Sequence, residues 1–129
     1  MIRNKSNKII LDYIENNLEQ IKVKSGKCRY NFRCHMNSVH EAINNKEKKI
    51  ALCFYICDNQ PIIHFINVTK KGKFVDNTLG VWSNKYKYYF VRYIKKEDFY
   101  TIEDVFSNYR EELRSKLPWY INLIKNVDF

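Results

Sequence analysis

The chain has 129 residues, 45% hydrophobic and 16% aromatic, with three glycines and two prolines. That composition excludes a disordered or linker-like chain and leaves room for one domain, residues 1–129, with a substantial core. The formal charge is +9, spread as +6 over residues 1–50, +5 over 51–97 and −2 over 98–129. No apolar run is long enough to span a bilayer, and the apolar residues near the N-terminus are broken by Asp12 and Glu15, against a signal peptide. The expectation is a soluble, cytoplasmic domain without membrane contact.

Ile9, Ile10, Tyr13, Ile14, Leu18 and Ile21 recur at helical spacing and predict a first helix over residues 6–21, with Ser6 as its cap. A basic irregular stretch, Lys22 to Arg33, follows. Cys34 to Ile43 predicts a shorter helix with Met36, Val39 and Ile43 as its apolar stripe, closed by Asn44-Asn45-Lys46. The period then changes. Ile50–Cys57, Ile62–Val68, Phe74–Thr78 and Lys85–Ile94 read as four strands, with turns at residues 58–61 and 70–73 and a loop over 79–84. Short turns suggest an antiparallel meander. Thr101-Ile102-Glu103-Asp104 opens a last helix with a capping-box variant, Pro118 ends it, and the tail from Trp119 is apolar enough to dock. The expected class is α+β: about four antiparallel strands packed against N- and C-terminal helices.

The four cysteines stand at 28, 34, 53 and 57. Their spacing is not that of a zinc site, and free thiols are expected in a reducing compartment. Cys53 and Cys57 fall on one face of a strand and read as buried structural residues. Cys34 is different. It stands where a basic segment enters a helix, so the helix dipole and Arg33 favour thiolate, the nucleophilic form. His64 interrupts the apolar strand Ile62–Ile66, and Asp76 follows one hairpin later. With a pairing sum near 141, His64 lies almost opposite Asn77 and diagonal to Asp76, and a one-residue bulge would bring the two face to face. A carboxylate there can orient an imidazole that serves a thiol.

Cys at a helix start, His on one strand and Asp on the next resembles the transglutaminase-like branch of the papain-like thiol enzymes. The stretch from His64 to Asp76-Asn77-Thr78 is similar to that family's His-to-Asp segment. Cys34-His35-Met36-Asn37-Ser38 resembles the Cys-His-x-Asn-Ser start of small phage and bacterial proteins of like layout. The resemblance covers roughly residues 28–95. It implies a papain-like fold, Cys34 as nucleophile, His64 as general base, Asp76 as its orienting partner, and an oxyanion hole that includes the Cys34 N–H. It implies no cofactor and no metal. The implied reaction is attack on an amide or thioester carbonyl of a protein or peptide substrate, as amidase, peptidase, deamidase or acyl transferase. The alternative is an inactive relative serving as a structural or binding partner, in a virion or against a host protein, in host cytoplasm or particle. Lys27 and Cys28 stand where papain-type proteases carry an oxyanion glutamine.

Three other features carry less. His35 and His40, five apart on a helix, lie about 140° from each other and make a poor metal pair. The strand Tyr86 to Tyr93 has aromatics that could stack on bases. Lys5, Lys8, Lys24, Lys46, Lys70, Lys87 and Lys95 are scattered, which predicts weak, nonspecific nucleic-acid binding at most.

Overall fold

The computed structural model describes residues 2–29, 33–44 and 49–118. They form α1 (Ile2–Asn17), β1 (Glu19–Ile21), β2 (Val23–Ser25), α2 (Cys34–Asn44), β3 (Lys49–Cys57), β4 (Gln60–Val68), β5 (Phe74–Asp76), β6 (Lys87–Ile94) and α3 (Ile102–Arg114). Two 3-10 helices, Gly80–Lys85 and Lys96–Thr101, complete the set. The class is α+β, as expected. No helix among the described residues is long and apolar enough to cross a membrane. The tail from Trp119 and the expected helix stop at Asn45-Lys46 lie outside the described residues.

The sheet differs from the four-stranded antiparallel meander. It has six strands in the order β1-β6-β3-β4-β5-β2 and is mixed, because β2 runs parallel to β5. The four expected strands are present, but β6 pairs with β3 instead of β5. The order β6-β3-β4-β5 is a Greek key. The long connection through the Gly80–Lys85 helix carries the chain back beside β3, and β2 occupies the flank of β5 that a meander would have used.

Of the additional strands, β1 falls at the end of what reads as the first helix, and β2 in what reads as an irregular basic stretch. Each is three residues long, too short for a period-2 pattern to show. Their connection matters more than their length. β1 and β2 stand at opposite ends of the sheet order, yet Lys22 alone separates them in sequence. One residue spans at most ~3.3–3.6 Å, so the two edges approach at that point and the sheet curls.

The curl separates two cores. One face of the sheet, with Ile50, Leu52, Phe54, Ile63 and Phe65, packs on Ile10 and Ile14 of α1, Ala42 of α2, and Tyr109 and Leu113 of α3. Alternate positions form a second cluster of Ala51, Cys53, Ile66, Val68 and Tyr88, covered by Ile21, Val23, Phe74 and Phe90 from the other strands. The sheet covers this inner cluster with its own edges.

Helix starts and faces needed correction. α1 begins at Ile2, so Ser6 is not a cap but a fully buried residue inside the helix, and Ile21 belongs to β1. Thr101 does stand at the N-cap of α3, but its side chain makes no capping bond. In α2 the expected stripe is partly outside: Met36 and Ile43 are both 49% exposed, and Asn37, Ser38, Glu41 and Ala42 are buried instead.

Candidate active site

The buried face of α2 is polar because the sheet offers it partners. Ser38 Oγ donates to the Phe65 carbonyl at 3.0 Å, and Asn67 Nδ2 donates to the Ser38 carbonyl at 3.0 Å. Asn37 Nδ2 donates to Thr78 Oγ1 at 3.0 Å. Glu41 accepts from Lys27 Nζ at 2.6 Å and Arg29 at 2.9 Å. These bonds fix the helix, and with it Cys34, against β4 and the segment after β5. The first helical bond runs from the Asn37 N–H to the Arg33 carbonyl at 2.8 Å. Cys34 is therefore the first residue of the helix, where backbone N–H groups have no partner within the helix.

His64 and Asp76 come together without a bulge. The β4–β5 ladder pairs Asn67 with Val75 and Val68 with Phe74, so its pairing sum is one greater than the sequence suggested. His64 then lies two residues along from the partner of Asp76, and a separation of two returns a side chain to the same face. The pair are diagonal neighbours, with His64 Nε2 at 2.7 Å from Asp76 Oδ2. The carboxylate is otherwise fully engaged. Tyr88 donates its hydroxyl to Oδ2 at 2.6 Å, and the N–H groups of Thr78 and Leu79 donate to Oδ1 at 2.9 Å each.

Cys34, His64 and His35 line a single cleft of about 510 Å³, with Tyr55, Ile62, Ile63, Leu79, Phe106 and Glu103 among the other walls. Burial pushes the Cys34 thiol up. The His64 charge, hydrogen bonds with His35 and His64, and the Phe65 backbone outweigh it and bring the pKa down to about 6. Burial opposes the charge on His64, but Cys34 and the hydrogen bond to Asp76 raise its pKa to about 10. Asp76, despite burial, is held down to about 2 by His64, Tyr88 and the Leu79 N–H. All three directions favour a thiolate, an imidazolium and a carboxylate at neutral pH.

The three candidate residues are thus brought to one place. Sequence reasoning missed four others. His35 lines the cleft beside Cys34 and has its Nε2 3.4 Å from Glu103 Oε1; its position next to Cys34 in the chain was the available signal. Tyr55 presents its ring to His64 edge-on at 4.9 Å. Tyr55, Tyr88 and Glu103 reach the site through strand order and helix docking, which no local pattern encodes. All four cysteines are free. Cys53 is buried as expected, whereas Cys57 is only partly so. Among the described residues no group of His, Cys, Asp or Glu side chains is arranged to hold a metal ion.

No family model, curated protein or solved structure matches this chain.

Proposed function

We propose that this protein is a thiol enzyme of papain-like type that attacks an amide or thioester carbonyl through Cys34. The observation that carries the reading is that Cys34 and His64 share the walls of one cleft, with His64 held by Asp76 at 2.7 Å; the pKa directions of the pair favour thiolate beside imidazolium. A buried carboxylate on a strand histidine is costly to maintain for stability alone. A thiol whose proton His64 has already taken needs no further base to attack a carbonyl. The oxyanion that forms would meet the N–H groups at the start of α2, where the helix dipole also favours negative charge. The apolar walls of the cleft, Ile62, Ile63, Leu79 and Phe106, suit a protein or peptide acyl group of apolar character.

Limited alkylation with iodoacetamide, followed by peptide mapping, tests the nucleophile. Cys34 should label before Cys28, Cys53 and Cys57, with a rate midpoint near pH 6 in place of the ordinary 9.0. His64→Ala should move that midpoint back up. Preferential labelling of Cys28, or a midpoint indifferent to His64, would count against the reading.

A further inference from the structure

Of the two histidines on the cleft, His64 is the more enclosed. The residue is 3% exposed, one ring nitrogen is committed to Asp76 at 2.7 Å, and the rings of Tyr55 and Tyr88 close around it, with centroids 4.9 and 6.2 Å away. Hydrolysis of an acyl-enzyme needs a base that water can reach. A second imidazole on the same cleft, from the residue next to Cys34, meets that need. The His35 side chain keeps 26% of its exposure, and Glu103 Oε1 at the start of α3 lies 3.4 Å from its Nε2. His35, Glu103 and Cys34 share the walls of one cleft.

We propose that His35, oriented by Glu103, is the proton-transfer group of catalysis: it protonates the leaving group and then deprotonates the water that hydrolyses acyl-Cys34, while His64 keeps its own proton, hydrogen-bonded to the Asp76 carboxylate. This rests on the acyl-transfer reading above and divides between two histidines the work that one histidine was expected to do. In acylation, Cys34 Sγ forms a bond to the carbonyl carbon, the bond from that carbon to the leaving atom breaks, and protonated His35 gives its proton to the leaving atom. In deacylation, neutral His35 takes a proton from water as the water oxygen attacks the same carbon. The C–S bond then breaks, sulfur departs as thiolate beside protonated His64, and the acid is released. Both histidines end as they began, and nothing is oxidised or reduced. Hydrogen bonding to Cys34, against the cost of burial and helped by Glu103, raises the His35 pKa, which suits a group that must carry a proton between the two steps.

p-Nitrophenyl acetate separates the steps, because nitrophenolate leaves without needing a proton. The wild type should release a burst of nitrophenolate, form acetyl-Cys34 and turn it over. His35→Ala should keep a burst close to the wild-type rate at a pH where Cys34 is fully ionised, yet deacylate roughly a hundredfold more slowly, as loss of a general base predicts. Acetyl-enzyme should then accumulate on intact mass. Imidazole added to the desalted acetyl-enzyme should restore hydrolysis, which a purely structural defect would not allow. Glu103→Gln, as a positioning change, should slow the same step by a smaller factor. If His35→Ala deacylates like the wild type, loses its burst altogether, or is not rescued by imidazole, the assignment is overturned. A wild type that acylates but stays acetylated overturns it as well. Absence of any burst at Cys34 in the wild type would remove the acyl-transfer reading itself, a result distinct from the others.

Discussion

Asp76 has four donors on two oxygens, and each is buried or nearly so. Asp76→Ala would strand the His64 charge, the Tyr88 hydroxyl and two N–H groups, and should cost ~3–5 kcal/mol of stability, the range for breaking a buried pair. The pH dependence follows from the direction of each shift. Asp76 is depressed from 3.8 to about 2, so its contribution is present above pH 3.8 and lost as pH falls toward 2. His64 is raised from 6.5 to about 10, so its contribution is complete below 6.5 and lost as pH rises through 10. Cys34, lowered from 9.0 to about 6, contributes in the opposite sense, gaining as pH rises from 6 to 9. The last two largely offset each other up to pH 9. Urea unfolding across pH should show a fall in stability at the acid end and another on approaching pH 10. Asp76→Asn should lose the acid fall, and retention of that fall would place the titrating group elsewhere.

At the level of elements, the parts of the site that share a hairpin were legible in the sequence. His64 and Asp76 lie on consecutive strands, and counting across one turn puts them within a residue or two of alignment. The helix start at Cys34 was also legible, because a basic segment ends where the helical spacing begins. What could not be read was anything set by long-range partners. Met36 and Ile43 look like a core stripe, but Asn37, Ser38 and Glu41 turn inward because β4, Thr78, Lys27 and Arg29 supply their hydrogen bonds. β1 and β2 have no pattern of their own and exist because neighbouring strands offer them edges. The register of β2 on β5 depends on close approach at Gly26. A Cβ there would stand 2.3 Å from Asn77 Oδ1 and 2.8 Å from the Asp76 carbonyl oxygen. Gly80 has a similar constraint, with φ +56° and Cys28 Cβ 2.6 Å from the position a side chain would take. Gly26→Ala should therefore force β2 away from β5 and cost ~1–3 kcal/mol, the range for overpacking. The shift should also loosen Asp76 and slow Cys34 alkylation at neutral pH. Unchanged thermal stability and labelling would show that the strand can move without penalty.

Across the whole molecule the charge is uneven. Lys24 on β2 lies close enough to Lys73, beside β5, for Lys73 to lower its pKa through hydrogen bonding and repulsion. The opening turn of α3, by contrast, carries Glu103 and Asp104. One sheet edge thus concentrates cations, and one helix start concentrates carboxylates. A duplex following the basic strands gains a few phosphate contacts and no continuous track. Filter binding of labelled duplex should show weak, sequence-independent association that disappears near physiological salt, with a log–log slope near −0.9 for each phosphate neutralised. Tight binding that persists at ~200 mM salt would instead make nucleic acid the partner that the +9 serves.

The single residue between β1 and β2 also bears on self-association. A sheet with two free margins offers rows of unpaired N–H and C=O groups on which another chain can add a strand. Here both margins are strands of three residues, one carrying Glu19 and the other Lys24, and Lys22 ties them to each other. Closing a sheet on itself is how β proteins remove such margins. Among the described residues a second copy therefore meets no long edge strand to extend, although the nine-residue strands β3 and β4, held in the interior of the sheet order, are apolar enough to aggregate if exposed. The short tether thus draws together, among the described residues, the two margins on which a larger assembly would grow.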